Sequence, residues 1–500
     1  MSLSYADTIS VYSANTLVSE PREELSYFLP KYELIRDVLA GEYAVKRKTT
    51  KYLPMPNPSD KSEDNLDRYQ TYLQRAMFYN VTNRTVQGLV GHIFLRSPVM
   101  DLPENLQALM TNADGKGLTL SQLAKTCCHH TLAYGRCGLL SDYPQVSATV
   151  SVADIRSGAI QPTIRFFAPW DIVNWEVKII DGKEKLTMII LREYFEQRLA
   201  DTFKIEIYEQ YRVIDLDQGV CRIRLYNVAD KENTAFEEFF VRDVDGNALT
   251  EIPFEFVGAE NNDAKVDSPP IYDIATLNIA HYRNSADYEE SIFMLGQPTP
   301  VFIGLTESWV TEILGGTIYL GARGSVPLPP NADAKLLQVA PNTLAYEALS
   351  HKEKQMVALG AKLVEQRKVQ QTATEAEIQN ASESSVLNNI ADNVELAIIA
   401  SLRNCQSFVG NTGEISFALN KNFDLTALTA EEIRWLLECY NGSAIAFTEL
   451  RQNLRRSGIA TLNDDEARTA ITNDLEMKNA VRLDEPESND NNQVADSSVV

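Results

Sequence analysis

Apolar positions change period twice along the chain, from helical to strand-like and back to helical. Over residues 66–93, Tyr69, Leu73, Ala76, Asn80, Asn83, Val86, Val90 and Ile93 recur at steps of three and four. They share one face, so the spacing predicts a single helix, stopped before Pro98. A second helix is predicted over 120–133, with Leu123, Ala124, Cys127 and Thr131 on one side and Gly135 as its C-cap. From 136 to 257 the pattern shortens to runs rich in β-branched and aromatic residues at 163–167, 185–194, 203–214, 221–228 and 239–244. Asp181-Gly182, Gln218-Gly219 and Asp245-Gly246-Asn247 separate some of these runs with turn chemistry, predicting an antiparallel meander.

After Asp267 the helical period returns. Ser268 suits an N-cap and Pro269 the first helical position, where a missing N–H costs nothing. Ala275, Ile279, Tyr282, Ala286 and Phe293 then trace a stripe that ends at Gly296 and Pro298. A Gly/Pro-punctuated segment follows over 300–341, with Gly315-Gly316, Gly321, Gly324 and the proline-rich run 327–330. The next helix starts near Leu344, carries Leu349, Met356, Leu359 and Leu363 on one face, and runs out at 369–371. Another begins at Thr374, whose spacing from Glu377 forms a capping box, and continues to about residue 404 with Ile378, Val386, Ile390, Val394 and Ala397 in line. A helix of that length is a rod of roughly 45 Å. Two further helices are predicted over 429–440 and 447–457, the first opened by Thr429 and Glu432. From Asp484 onward the chain is Asp, Glu, Asn and Ser with little to bury, which predicts disorder.

Composition narrows the class. With 44% hydrophobic and 23% charged residues, the 500-residue chain is globular rather than fibrous. No apolar run reaches the ~18 residues of a membrane span. Residues 1–12 lack a basic segment followed by an apolar one, so the expectation is a chain without a secretory signal, folded in a cytoplasm. Six cysteines at irregular spacing read as free thiols rather than a disulfide framework. The net charge of −23 is the opposite of a conventional DNA-binding surface. Any contact with DNA must therefore be local, or the acidity must serve to prevent adhesion.

Catalytic signatures are missing from the sequence. It contains no G-x-x-x-x-G-K-[ST], G-x-S-x-G or H-E-x-x-H. The G-x-x-G of Gly321 and Gly324 is too short to signal phosphate binding and reads as a tight turn. Cys127-Cys128-His129-His130 resembles a metal cluster, but successive helical residues point ~100° apart and cannot converge on one tetrahedral ion. Cys127 is expected in the core and His129 at the surface. Asp464, Asp465 and Glu466 follow Thr461 and read as the opening of a helix; a metal-dependent nuclease would need further acids from the fold. The basic cluster at 46–51 reads as a solvated loop. Arg367-Lys368 with Gln370-Gln371 lies in the break between two helices, in a locally cationic stretch. These cations are either a helix end stabilised by the dipole or a contact for nucleic acid.

The order of elements, helices, β region, long helix, compact module, helix, break and long helix, resembles the portal proteins of tailed bacteriophages. The resemblance extends to YGRCGLLSDYP at 134–144, FAPWDIVNW at 167–175, IPF at 252–254, HYRNSAD at 281–287 and QMVALGAKL at 355–363. These segments look like a portal family formerly described as phage proteins of unassigned function. The fold implied is α+β, with a mostly helical wing, stem and crown, an antiparallel β region in the wing and a small α/β clip. The wing would occupy 1–267, with helices 66–93 and 120–133 and the β region 136–257. Stem helix 1 would be 268–295, the clip 296–341, stem helix 2 342–366 and the tunnel loop 367–373. A long helix returning to the wing would be 374–428, the crown 429–480 and a disordered acidic tail 481–500.

Function is implied in the same terms. The resemblance implies a non-enzymatic ring, normally of twelve copies, at one vertex of the virion capsid, assembled in the host cytoplasm without membrane, metal or cofactor. Double-stranded DNA would pass through its channel during packaging and ejection. Its other partners would be the major capsid protein, the terminase large subunit and then tail adaptor proteins. Ile279, Tyr282, Ala286, Met356, Leu359 and Leu363 would pack the stem. Gly315, Gly316, Arg323 and Gly324 would lie in the docking clip. Arg367, Lys368, Gln370 and Gln371 would touch DNA. The alternative is another structural head–tail adaptor or virion protein without a DNA channel. An enzyme acting on phage DNA or capsid is a third possibility, which the missing signatures disfavour.

Overall fold

The computed structural model describes residues 17–143, 161–200, 202–227, 235–243, 245–296, 299–316, 326–337, 343–363, 386–410, 413–421, 430–456, 460 and 467–474. The protein is α+β and divides into two compact units, Met1–Lys421 and Asn422–Val500. In the first unit the helices are α1 (Glu23–Ala40), α2 (Glu42–Arg47), α3 (Glu63–Arg75), α4 (Val81–Ile93), α5 (Ala108–Thr111), α6 (Leu120–Tyr134), α7 (Tyr272–Gly296), α8 (Leu344–Lys362) and α9 (Val386–Val409). In the second they are α10 (Ala430–Asn441) and α11 (Phe447–Arg456).

The core of the first unit forms around α6. A complete capping box opens this helix: Thr119 Oγ1 accepts from Gln122 N–H and Gln122 Oε1 accepts from Thr119 N–H. Gly135 ends it at φ 79°, where an added Cβ would stand 2.5 Å from the Asp267 carbonyl oxygen. The chain then passes directly into β2 (Arg136–Asp142), the centre of a three-stranded antiparallel sheet between β3 (Thr163–Phe167) and β9 (Phe254–Gly258). Helix α9 packs across β2, β9 and α6 and buries Leu387, Ile390, Val394, Ile398, Leu402 and Phe408. Short strands β1 (Val99–Asp101) and β12 (Ser416–Ala418) pair antiparallel.

A second sheet is the expected meander, in the order β4 (Ile172–Ile180), β5 (Lys183–Arg198), β6 (Ile205–Asp217), β7 (Val220–Asn227) and β8 (Ala235–Phe240). Asp181-Gly182 and Gln218-Gly219 have positive φ at both residues, the condition for tight turns that match strand twist. The sheets are joined by buried charge. Arg212 on β6 donates to Glu193 on β5 at 2.8 Å, and Arg165 on β3 lies 3.0 Å from Glu193 and 3.1 Å from Asp142 on β2. Arg136, fully buried, stacks between Trp175 of β4 and Phe256 of β9 at 4.2 and 4.1 Å, and burial pulls its pKa down to about 10.

Several expectations need correction. The helix predicted over 66–93 is two helices, because residues 76–80 leave the helical path to hydrogen-bond with α7. Asn80 then caps α4 through its side chain, which accepts from Asn83 N–H. His129 is half-buried rather than at the surface, because α6 is enclosed by α1, α4 and α9; the desolvation pushes its pKa down. Strand β4 escaped the sequence reading, the edge strand predicted at 239–244 is Ala235–Phe240, and α9 extends to Val409 rather than 404. The tail from 481, the capping boxes at 374 and 429, and Asp464, Asp465 and Glu466 lie outside the described residues. In the second unit, α10 and α11 meet through Tyr440 and Phe447, with Leu436 and Leu450 buried.

Candidate functional site

The candidate site is the α7–α8 hairpin with the small β module between its helices. Helix α7 is held to the body by its polar residues as well as its apolar stripe. Ile274, Ala275, Ile279, Tyr282 and Ala286 are buried, as are Asn278 and Ser285. Asn278 Nδ2 donates to the Tyr79 carbonyl at 2.8 Å, while its Oδ1 accepts from Thr82 Oγ1 at 2.9 Å. Met77 N–H donates to Ser285 Oγ at 3.1 Å, and Tyr72 OH to Asp287 at 2.6 Å. Arg75 forms an ion pair with Glu290 and lies over the Phe293 ring. A cleft of about 240 Å³, lined by Pro56, Asn65, Arg68, Tyr69, Tyr72, Asp287, Glu290 and Ser291, runs beside these contacts.

Helix α8 lies antiparallel to α7. The register follows from two contacts: Tyr288 faces Tyr346 at a ring separation of 6.2 Å, and seven residues along each helix His281 faces Glu353 at 3.3 Å. Leu349, Met356 and Leu363 are buried and Leu359 half-buried. Gly360 is buried where an added Cβ would approach Thr85 of α4 to 3.1 Å, so a small residue lets the helices close up. Desolvation lowers the pKa of His281, and the facing Glu353 only partly offsets it.

Between the helices, β10 (Thr299–Ile303) pairs antiparallel with β11 (Asp333–Leu337), from Thr299↔Leu337 to Ile303↔Asp333. A single π-helical turn, Trp309–Ile313, is tied to the proline-rich run by Trp309 Nε1–H donating to the Pro327 carbonyl at 3.2 Å. Gly315 and Gly316 end this turn at φ 64° and 76°, and Gly316 N–H returns to the Val310 carbonyl at 2.8 Å. Arg323 and Gly324 lie outside the described residues, as do Arg367, Lys368, Gln370 and Gln371. The structure thus brings Ile279, Tyr282, Ala286, Met356, Leu359 and Leu363 into one hairpin and sets Gly315 and Gly316 in the module between its strands.

Sequence reading missed the anchors Asn278, Ser285, Asp287 and Glu290. Their signal was present: polar residues falling inside or beside a stripe of buried positions need buried partners. Among the described residues, no group of three or more His, Cys, Asp or Glu side chains is placed to hold a metal ion. No helix of the described residues is long and apolar enough to cross a membrane.

A family profile described as a domain of unknown function, DUF4055, matches residues 270–409, from α7 through α9. No curated protein matches the chain. The chain is similar to one in the virion of a native gene transfer agent particle, at 12% identity and a TM-score of 0.40, over 79% of this chain and 94% of that one. It is also similar to a chain in the neck of the native particle, computed with C12 symmetry, at 11% identity and a TM-score of 0.38, over 77% of this chain and 93% of that one. The neck of the empty particle, computed with C6 symmetry, gives 11% identity and a TM-score of 0.38, over 78% and 93%.

Proposed function

We propose that this chain is the portal subunit of a tailed bacteriophage, forming a ring at one capsid vertex through which DNA is packaged and ejected. The observation that carries the reading is the α7–α8 hairpin. One side is locked to the body by Asn278, Ser285, Met356 and Gly360, while large apolar side chains remain exposed at Ile292, Leu344, Tyr346 and Val357. A monomer gains nothing by presenting these to water; a ring, in which each copy offers two different faces to its neighbours, buries them. The motif segments at 134–144, 167–175, 281–287 and 355–363 support the same assignment.

In this reading α7 and α8 form the stem and the β10–β11 module forms the clip, which docks the terminase large subunit during filling and tail adaptors afterwards. The major capsid protein is a further partner, and Arg367, Lys368, Gln370 and Gln371 touch DNA at the tunnel. The chain's net acidity discourages phosphate from adhering while DNA slides. The chain itself catalyses nothing, and ATP hydrolysis belongs to the separate motor. Electron microscopy of the purified full-length chain tests this: rings of about twelve copies with a central hole, as the resemblance implies, are expected. A monodisperse monomer under all assembly conditions overturns it.

A further inference from the structure

The five-stranded sheet contains an arm that no other described strand pairs with. Strands β5 and β6 pair as far as Arg198↔Ile205, but β4 accompanies β5 only to Leu191 and β7 accompanies β6 only to Gln210. Residues 194–198 and 205–209 therefore form a two-stranded ribbon with both edges open among the described residues. At ~3.4 Å per residue it projects about 17 Å. It exposes Tyr194, Phe195, Phe203, Ile205 and Ile207, the last at 68%. Cross-strand register puts Ile205 and Ile207 on one face, opposite Arg198 and Glu196. An isolated two-stranded ribbon is at best marginally stable in water, so this one calls for a surface to lie on.

The same sheet supplies a matching surface at its other side. Strand β8 is one of the two edge strands of this sheet, with β4 at the other side, and exposes Phe236 and Phe240. Its sequence from Ala235 to Phe240 contains neither Lys nor Pro, the usual protection of an edge. It carries Glu237 and Glu238, the latter 3.5 Å from Arg222 at a half-exposed position, whereas the arm tip carries Arg198 and Lys204. Among the described residues the tip cations meet local groups at exposed positions, Arg198 the Thr202 carbonyl and the Phe203 ring and Lys204 the Glu206 carboxylate, where such contacts contribute little. An arm cannot reach the β8 edge of its own sheet, because β7 lies between β6 and β8.

We propose that the arm of one copy seats on the β8 edge strand of the next copy, Ile205 and Ile207 against Phe236 and Phe240, with Arg198 and Lys204 facing Glu237 and Glu238. This rests on the ring reading above and adds the surface through which neighbouring wings hold each other. Two unlike surfaces on one chain make a head-to-tail contact, which a closed ring can satisfy throughout.

Cysteine cross-linking of the full-length chain tests the contact. In a Cys439→Ser background, Ile207→Cys combined with Phe240→Cys is oxidised and run on a non-reducing gel. A covalent ladder extending beyond dimers is expected from the double variant, and none from either single variant. Rings seen by microscopy without cross-linking overturn this contact while leaving the portal reading intact. A dimer from Ile207→Cys alone shows arms pairing with each other and also overturns it. A chain that stays monomeric and unlinked sinks both. In parallel, Ile205→Lys with Ile207→Lys should lower the assembled fraction at least tenfold with an unchanged circular dichroism spectrum; undiminished assembly counts against the contact.

Discussion

His281 Nε2 lies 3.3 Å from Glu353 Oε1 across the α7–α8 hairpin, joining a buried imidazole to a half-exposed carboxylate. The contact sets the helix register and makes the hairpin sensitive to acid. Burial lowers the His281 pKa in the folded chain below its ordinary value, although Glu353 opposes the shift. The unfolded chain then binds more protons on the acid side of about pH 6.5, so stability is full above that pH and falls as pH drops toward the folded pKa. Glu353→Gln removes the opposing charge and should steepen this loss. Thermal midpoints of both proteins between pH 5 and 7.5 check it, and superimposable profiles would contradict the assignment.

Asn278 is the polar pin between α7 and the segment joining α3 to α4. Asn278→Ala leaves the Tyr79 carbonyl and Thr82 without their buried partner, at an expected cost of ~1–3 kcal/mol. Urea unfolding reads this directly. A change within experimental error would mean that water replaces the amide.

Glu193 compensates Arg212 and Arg165 where the two sheets meet, and Arg212 is buried beside it. Without Glu193, Arg212 keeps the more distant Asp142 carboxylate at 3.7 Å, shared with Arg165, so Glu193→Ala should destabilise toward the low end of ~3–5 kcal/mol. Glu193→Gln keeps hydrogen-bonding capacity and should cost less. Equal losses from the two variants would show that shape, not charge, matters there.

The tunnel assignment has its own test. Arg367→Glu with Lys368→Glu should leave ring formation unchanged while reducing the yield of DNA-filled particles. Normal filling by this double variant would remove these residues from DNA contact.

The local periodicities were enough to read α6, its Gly135 cap, the meander turns and the apolar stripes of α7 and α8. Each depends on the spacing of residues near in sequence and on turn chemistry that only a few residue types supply. Residues 76–80 show where that reading stops. Their apolar spacing continues the helix, yet the backbone opens there because Asn278 and Ser285, about two hundred positions away, offer better hydrogen bonds. His129 is similar: its burial depends on which helices enclose α6. The sequence by itself therefore determined the elements whose period is local, the acidity and the missing catalytic signatures, but not β4 or the break between α3 and α4. Only the tertiary structure decided which polar residues anchor the hairpin, which apolar ones stay exposed, and that the β5–β6 ribbon projects beyond its neighbours. Burial and strand extent are set by contacts between distant segments, and no local pattern encodes them.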